Sequence, residues 1–159
     1  MARGIGLIAR AVVIRDLRLL VAHKVGAENT FLPGGHIETG EFAADALKRE
    51  LREELGVETE VGEFIAVLEY AFYYPPESEE MIQEIDFLFE TKISGGVPAE
   101  LGLASKEKEL EFLWVPIEDL EGQMLLPEPL PPIIRTWLRE GKPTYWRGIE
   151  SDETRSLLT

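Results

Sequence analysis

No cysteine occurs among the 159 residues, which excludes disulfides, thiolate zinc sites and cysteine nucleophiles together. Histidine is scarce as well: only His23 and His36 are present, so a metal centre built on clustered imidazoles has little to draw on. Both read first as structural residues, His36 being the better functional candidate because it follows two glycines. Basic residues are outnumbered, with 16 Lys and Arg against 30 Asp and Glu and a net charge of -14. Bulk association with nucleic acid rests on neutralising phosphates with cations, and such a balance disfavours it. Long apolar runs are missing too. Ile5 to Ile14 is broken by Arg10, no stretch approaches membrane-spanning length, and the start lacks a basic head followed by a long apolar core. No membrane association is expected, and the cytoplasm is the expected setting.

What is present suits one globular domain with a substantial core, since 45% of residues are hydrophobic and 29% charged. Residues 1–141 are expected to form that domain, and residues 142–159 a C-terminal extension that is mobile from Asp152 onward. Within the extension, Tyr145 and Trp146 are large aromatics expected to dock, either on their own domain or on a second copy of the chain in a homodimer.

Ile5 to Ile14 and Leu19 to Ala22 read as a hairpin around Arg15-Asp16, its first strand covered on both faces. Thr30 to Leu32 reads as a short strand stopped by Pro33. Glu58 to Tyr74 and Gln83 to Ile93 are rich in β-branched and aromatic residues and read as paired antiparallel strands. Their aromatics, Tyr70, Phe72, Tyr73, Tyr74, Phe87 and Phe89, would stack on a base or fill the core; core is the expectation. Glu111 to Val115 is a further strand, and Pro132 to Arg139 a helix burying Ile133, Ile134, Trp137 and Leu138 and closed by Gly141. Strands before and after a central helix, with a second helix at the end, imply an α+β fold or a three-layer sandwich around a mixed sheet.

Between these segments lies the most distinctive stretch. Gly34 and Gly35 allow backbone angles closed to other residues and a close approach to the main chain. A helix expected to start at Thr39 or Gly40 and to stop at Gly56 carries Ala44, Leu47, Leu51 and Leu55 on one face. At about 100° per residue, Glu50, Glu53 and Glu54 fan out beside that face, close enough to share one cation. Arg49, one turn from Glu53, can tether that carboxylate. Clustered carboxylates at oxygen-ligand spacing suit a hard cation such as Mg²⁺ or Mn²⁺. An isolated Glu-rich run is more often a solvated face, but here Gly35, Glu41 and Arg49 stand at fixed intervals from it.

Those intervals are Gly35, five residues, Glu41, seven residues, Arg49-Glu50-Leu51, one residue, Glu53-Glu54, one residue, Gly56-Val57. The pattern resembles the Nudix box with every specified position filled. Chance would do this in on the order of one in ten million chains of this length. The motif covers Gly35 to Val57, and the flanking segments to about Trp114 also resemble the family's arrangement. The resemblance implies an α/β/α sandwich and hydrolysis of a nucleoside diphosphate linked to another group, by water attack on phosphorus. It implies Glu50, Glu53 and Glu54 as metal ligands, with Glu54 central; Glu54 is expected on an exposed face of the helix, not in the core. The Gly34 carbonyl would be a further ligand, Arg49 a positioning residue and Glu41 an auxiliary carboxylate. The family's general base varies in position. The charged connection holding Glu100, Glu107 and Glu109 is expected to complete the site with a carboxylate that serves as an extra metal ligand or as the general base, with Glu107 and Glu109 preferred and Glu109 counted among the catalytic residues. A non-catalytic sensor or interaction module of this fold would be expected to lose box carboxylates, and this chain keeps them. The family's isoprenoid diphosphate isomerases would need a cysteine. Tyr73, Tyr74 and Pro75 stand where substrate-class markers occur in some members, but a tyrosine and a proline pattern overlap there and point to no one substrate.

Overall fold

The computed structural model describes residues 4–73, 79–95, 103–104 and 108–149. Tyr74, Pro75, Glu100, Glu107 and the segment from Asp152 lie outside the described residues. The chain runs β1 (Gly6–Val12), β2 (Ile14–Arg15), β3 (Arg18–Lys24), β4 (Thr30–Phe31), β5 (Gly34–His36), α1 (Ala43–Leu55), β6 (Thr59–Tyr73) and β7 (Met81–Ile93). It continues through β8 (Leu103–Ala104), β9 (Leu110–Pro116), a 3₁₀ turn (Ile117–Asp119), β10 (Leu125–Leu126), α2 (Leu130–Glu140) and β11 (Thr144–Ile149).

Two sheets form the middle layer. One has the order β11-β6-β7-β1-β5; it is mixed, since β1 lies parallel to β7 and antiparallel to β5, while β11 lies parallel to β6. The other runs β10-β4-β3-β9-β8, with β2 paired to β3. Side-chain alternation divides the apolar residues between two cores. Val12, Leu19, Val21, Leu68, Leu88 and Val115 face the core that α2 closes with Ile133, Ile134 and Trp137. Ala9, Ala11, Val13, Leu20, Ala22 and Phe112 face the core that α1 closes with Ala46, Leu47, Leu51 and Leu55. The helices thus cover opposite sides of the strand layer, which makes an α/β/α sandwich with a mixed central sheet. Because β1 serves both cores, its apolar run is nearly continuous, as the sequence implied for a strand covered twice.

Three local expectations change. The first two apolar runs do not pair along their length: only the tip forms a hairpin, Ile14 opposite Leu19, while β1 joins the other sheet. Asp16 and Leu17 both adopt positive φ (49° and 57°), so this tight two-residue turn ends the pairing as soon as β1 departs. Helix α1 starts at Ala43 rather than at Thr39 or Gly40. Gly40 has φ +89°, the Glu41 N–H donates to the Glu38 carbonyl, and Phe42 is still extended, so a turn occupies the expected first helical residues. Ala46, not Ala44, then lies in the core. Finally, residues 144–149 form a strand registered on β6, Tyr145 opposite Val67 and Trp146 opposite Leu68. Trp146 packs on the core of its own domain, while Tyr145 stays exposed and donates from its hydroxyl to Glu69 at 2.8 Å.

Candidate active site

The site is built where α1 crosses the edge strand β5. Gly34 has φ +129°, and a Cβ there would sit 2.1 Å from the Ala9 carbonyl oxygen, so only glycine lets β5 lie this close to β1. Gly35 serves a different end. A Cβ on it would fall 2.4 Å from the Glu50 carboxyl carbon, so the missing side chain makes the room that the Glu50 carboxylate occupies.

Helix α1 is held down by Leu47 and Leu51, both fully buried, and each such side chain contributes about 1.5–3 kcal/mol by burial. Glu54 follows Leu47 by seven residues and Leu51 by three, which places it on the buried side. It is 5% exposed, and its Oε2 accepts the Gly34 N–H at 3.3 Å. The expectation that Glu54 stands on the exposed side is therefore corrected: counting residues from Leu51 already turns it inward.

Arg49 gathers the remaining box groups. Its Nε and Nη2 donate to the two oxygens of Glu41 at 2.9 and 3.0 Å, its Nη1 to Glu50 at 2.9 Å and Glu53 at 3.3 Å, and its Nη2 also to the His36 carbonyl at 3.0 Å. Arg49 therefore ties Glu53, as its spacing implied, but its paired hydrogen bonds go to Glu41, eight residues back. These bonds hold the Glu41 carboxyl below the usual range and push the Arg49 guanidinium up. Glu41 is thus the anchor of the arginine.

Among the described residues, no three Asp, Glu or His side chains are gathered closely enough to hold a metal ion. The reason is visible: Arg49 draws Glu50 and Glu53 to itself, and Glu54 turns back to the Gly34 amide. The donor set nevertheless fits a hard divalent cation in kind, since it is all carboxylate, and the missing side chain of Gly35 is what lets the Glu50 carboxylate lie against β5.

The other candidates separate. Glu109 is exposed on the turn before β9; its carbonyl accepts the Val25 N–H, and among the described residues nothing joins its side chain to the box carboxylates. His23 bridges strands through Glu111 at 2.8 Å, the structural role expected of it, while the His36 ring is exposed. Tyr70 and Phe72 are buried and stacked with centroids 6.0 Å apart, as core residues. Sequence reading missed Arg10, which appeared there only as an interruption of an apolar run. Its Nη1 donates to the Leu32 carbonyl at 3.0 Å and to the Gly34 carbonyl at 3.3 Å, and its Nε to Asp86 at 3.4 Å. A lone arginine in a strand covered on both faces was the available signal, because a buried charge needs partners.

A NUDIX domain family model matches residues 6–140, from the start of β1 to the end of α2. The chain belongs to the Nudix family. A CTP pyrophosphohydrolase of Escherichia coli K12 is 38% identical over 63 residues, covering 37% of this chain and 47% of that protein, so the match spans about half of the relative. The fold resembles a MutT protein from Bacillus halodurans, with a TM-score of 0.69 and 17% identity over 94% of this chain and 93% of the other. It also resembles a UDP-X diphosphatase, with a TM-score of 0.65 and 17% identity over 92% of this chain and 68% of that one. Among the described residues, no helix of this Nudix chain is long and apolar enough to cross a membrane.

Proposed function

We propose that this Nudix chain is a divalent-metal-dependent hydrolase that cleaves a pyrophosphate bond in a nucleoside diphosphate derivative by water attack on phosphorus. The observation that carries the reading is the complete carboxylate stripe of α1 set against the Gly34-Gly35 strand, with Glu50 lying in the space that Gly35 leaves. Glu50, Glu53 and Glu54 would hold Mg²⁺ or Mn²⁺, with the Gly34 carbonyl as a further oxygen donor. When bound, the cation neutralises phosphate oxygens and lowers the pKa of water. Arg49, anchored by Glu41, orients Glu50 and Glu53 and offsets their repulsion while the site is empty of substrate. Glu109 is kept as the candidate proton acceptor on chemical grounds alone, because a carboxylate committed to a cation is a poor base and Glu109, exposed before β9, is not tied to the box carboxylates by any contact among the described residues. A carboxylate-rich surface and a net charge of -14 are compatible with an anionic substrate only where cations reverse the local sign.

The test is a screen with Mg²⁺ and Mn²⁺ against nucleoside triphosphates, CTP first because of the relative's activity. Oxidised nucleotides, ADP-ribose, dinucleoside polyphosphates and nucleotide sugars follow. Turnover of one of these is expected, and Glu54→Gln is expected to lower it by on the order of a thousandfold while the fold persists, since the amide oxygen still accepts the Gly34 N–H. The melting temperature should rise with Mg²⁺ in the native chain and not in Glu54→Gln. No turnover on any of these substrates, with no metal-dependent stabilisation, would favour a binding module. Glu109→Gln should cost roughly a hundredfold in turnover, and a loss under about threefold would remove it as the base.

A further inference from the structure

We infer that Arg10 is a positioning residue of this site: from the opposite side of β5 to Glu54, it fixes the Gly34 peptide against which the box carboxylates are set. This rests on the hydrolase reading for its consequence in turnover, but its geometric content stands alone. In the antiparallel pair of β1 and β5, Ala11 donates to Pro33 and Ile37 to Leu7, so the ladder bonds fall on alternate residues. Gly34, opposite Arg10 in the intervening position, directs its amide and carbonyl away from β1, and among the described residues β5 is the sheet edge, so no further described strand receives them. Side chains do so instead. Glu54 of α1 accepts the N–H at 3.3 Å, and Arg10 of β1 donates to the carbonyl at 3.3 Å.

Arg10 is itself held on several sides. It donates to the buried Leu32 carbonyl at 3.0 Å, its guanidinium lies 5.8 Å from the centre of the Phe31 ring, and Asp86 takes its Nε at 3.4 Å. Tyr70 fixes Asp86 in turn, its hydroxyl 3.4 Å from Oδ2 of Asp86 and 2.7 Å from Glu84, to which it donates. The box turn is therefore clamped between an acidic helix and a buried basic side chain whose counter-charge comes from β7. A lysine in place of Arg10 would have one ammonium where the guanidinium has a fork reaching both carbonyls and Asp86.

Two variants test this. Arg10→Met/Asp86→Leu replaces both buried charges by apolar groups, which avoids stranding one of them, and Arg10→Lys keeps the charges balanced while removing the fork. In each, without metal, the Gly34 amide should exchange at least about tenfold faster in NMR hydrogen exchange, while the Leu20 amide in the core keeps its rate. Mn²⁺ affinity, read as free Mn²⁺ by electron paramagnetic resonance, should weaken about 10–100-fold, and kcat should fall with KM nearly constant. If Mn²⁺ binds more tightly, Arg10 acts on the site only as a repelling charge and the positioning role is overturned. An unchanged Gly34 exchange rate with unchanged Mn²⁺ affinity overturns it as well. If the native chain neither binds Mn²⁺ nor hydrolyses a substrate, the hydrolase reading fails, and the Gly34 exchange rates still decide whether Arg10 holds this peptide.

Discussion

Two arginines flank the same pair of glycines, and they are held in opposite ways. Arg49 lies on the outer side of α1, a quarter exposed, and among the described residues divides five hydrogen bonds between Glu41, Glu50, Glu53 and the His36 carbonyl. Arg10 lies inside, beside an Asp86 that is 2% exposed and whose Oδ1 has no hydrogen-bond partner among the described residues. The outer cluster is only partly buried and borders solvent, so its partners can be exchanged at a smaller cost, because water can reach a bond that is broken. Those in the buried cluster cannot, because an orphaned charge there has no solvent to turn to. The difference fits a division of labour in which carboxylates on the outer side change partners when a cation arrives and the inner side stays fixed.

Substitution of the two glycines by alanine gives the largest effects and separates the two sides. Gly34→Ala puts a Cβ against the Ala9 main chain at a φ of +129°, and a loss of about 2–4 kcal/mol in urea unfolding is expected. Gly35→Ala meets only the end of the Glu50 side chain, which can swing away. Its stability should stay within about 1 kcal/mol of the native value, while turnover falls roughly 10–100-fold. Equal loss of stability in both variants would break the comparison.

A smaller effect concerns pH. Burial pushes the Asp86 carboxyl up from 3.8 to about 6, against the opposing pull of Arg10. Its folded pKa is raised, so its contribution to stability is fully present below about pH 4 and is lost as pH rises through about 6. The native chain should therefore lose on the order of 2–3 kcal/mol relative to Asp86→Asn across that window, as two pKa units imply. Unfolding of both chains by urea at pH 4, 5, 6 and 7 measures it, and the difference between them cancels the carboxylates that shift the other way, Glu41, Glu58 and Glu121. A flat difference would show that Asp86 keeps its charge at no cost.

The smallest effect belongs to the outer, partly buried cluster. Glu41→Gln removes one partner of Arg49 while leaving Glu50 and Glu53, and the melting temperature should move by less than about 3 °C.

Legibility in the sequence follows the same divide. The box helix was readable because its apolar period, its stop at Gly56 and its intervals to Gly35 and Glu41 are local, and local spacing fixes which groups share a face. Even the burial of Glu54 was within reach of that period, had Leu51 rather than the charge of Glu54 been taken as the guide. The Arg10 cluster was not readable. Its members come from β1 (Arg10), β6 (Tyr70), β7 (Asp86) and the link between β4 and β5 (Leu32), and no periodicity within one segment shows which other segment will lie beside it. The departure of β1 from its expected hairpin has the same cause. Strand β11 was missed for another reason: Thr144 to Ile149 has little apolar alternation, and its place depends on an unpaired edge of β6.

The separation along the chain between the two halves of the clamp also sets an order in time. Gly34 finds Glu54 across 20 residues and Arg10 across 24, whereas Arg10 meets Asp86 only across 76. Closing a longer loop costs more entropy, and contacts between remote segments are the slow ones in folding. The glycine turn and its helix can therefore meet while Arg10 is still hydrated, and the arginine sheds its water only when β7 docks alongside β1. Asp86 is then a late arrival, a latch closing on a turn already made, and a change to it falls on how fast the folded chain opens more than on how fast it forms.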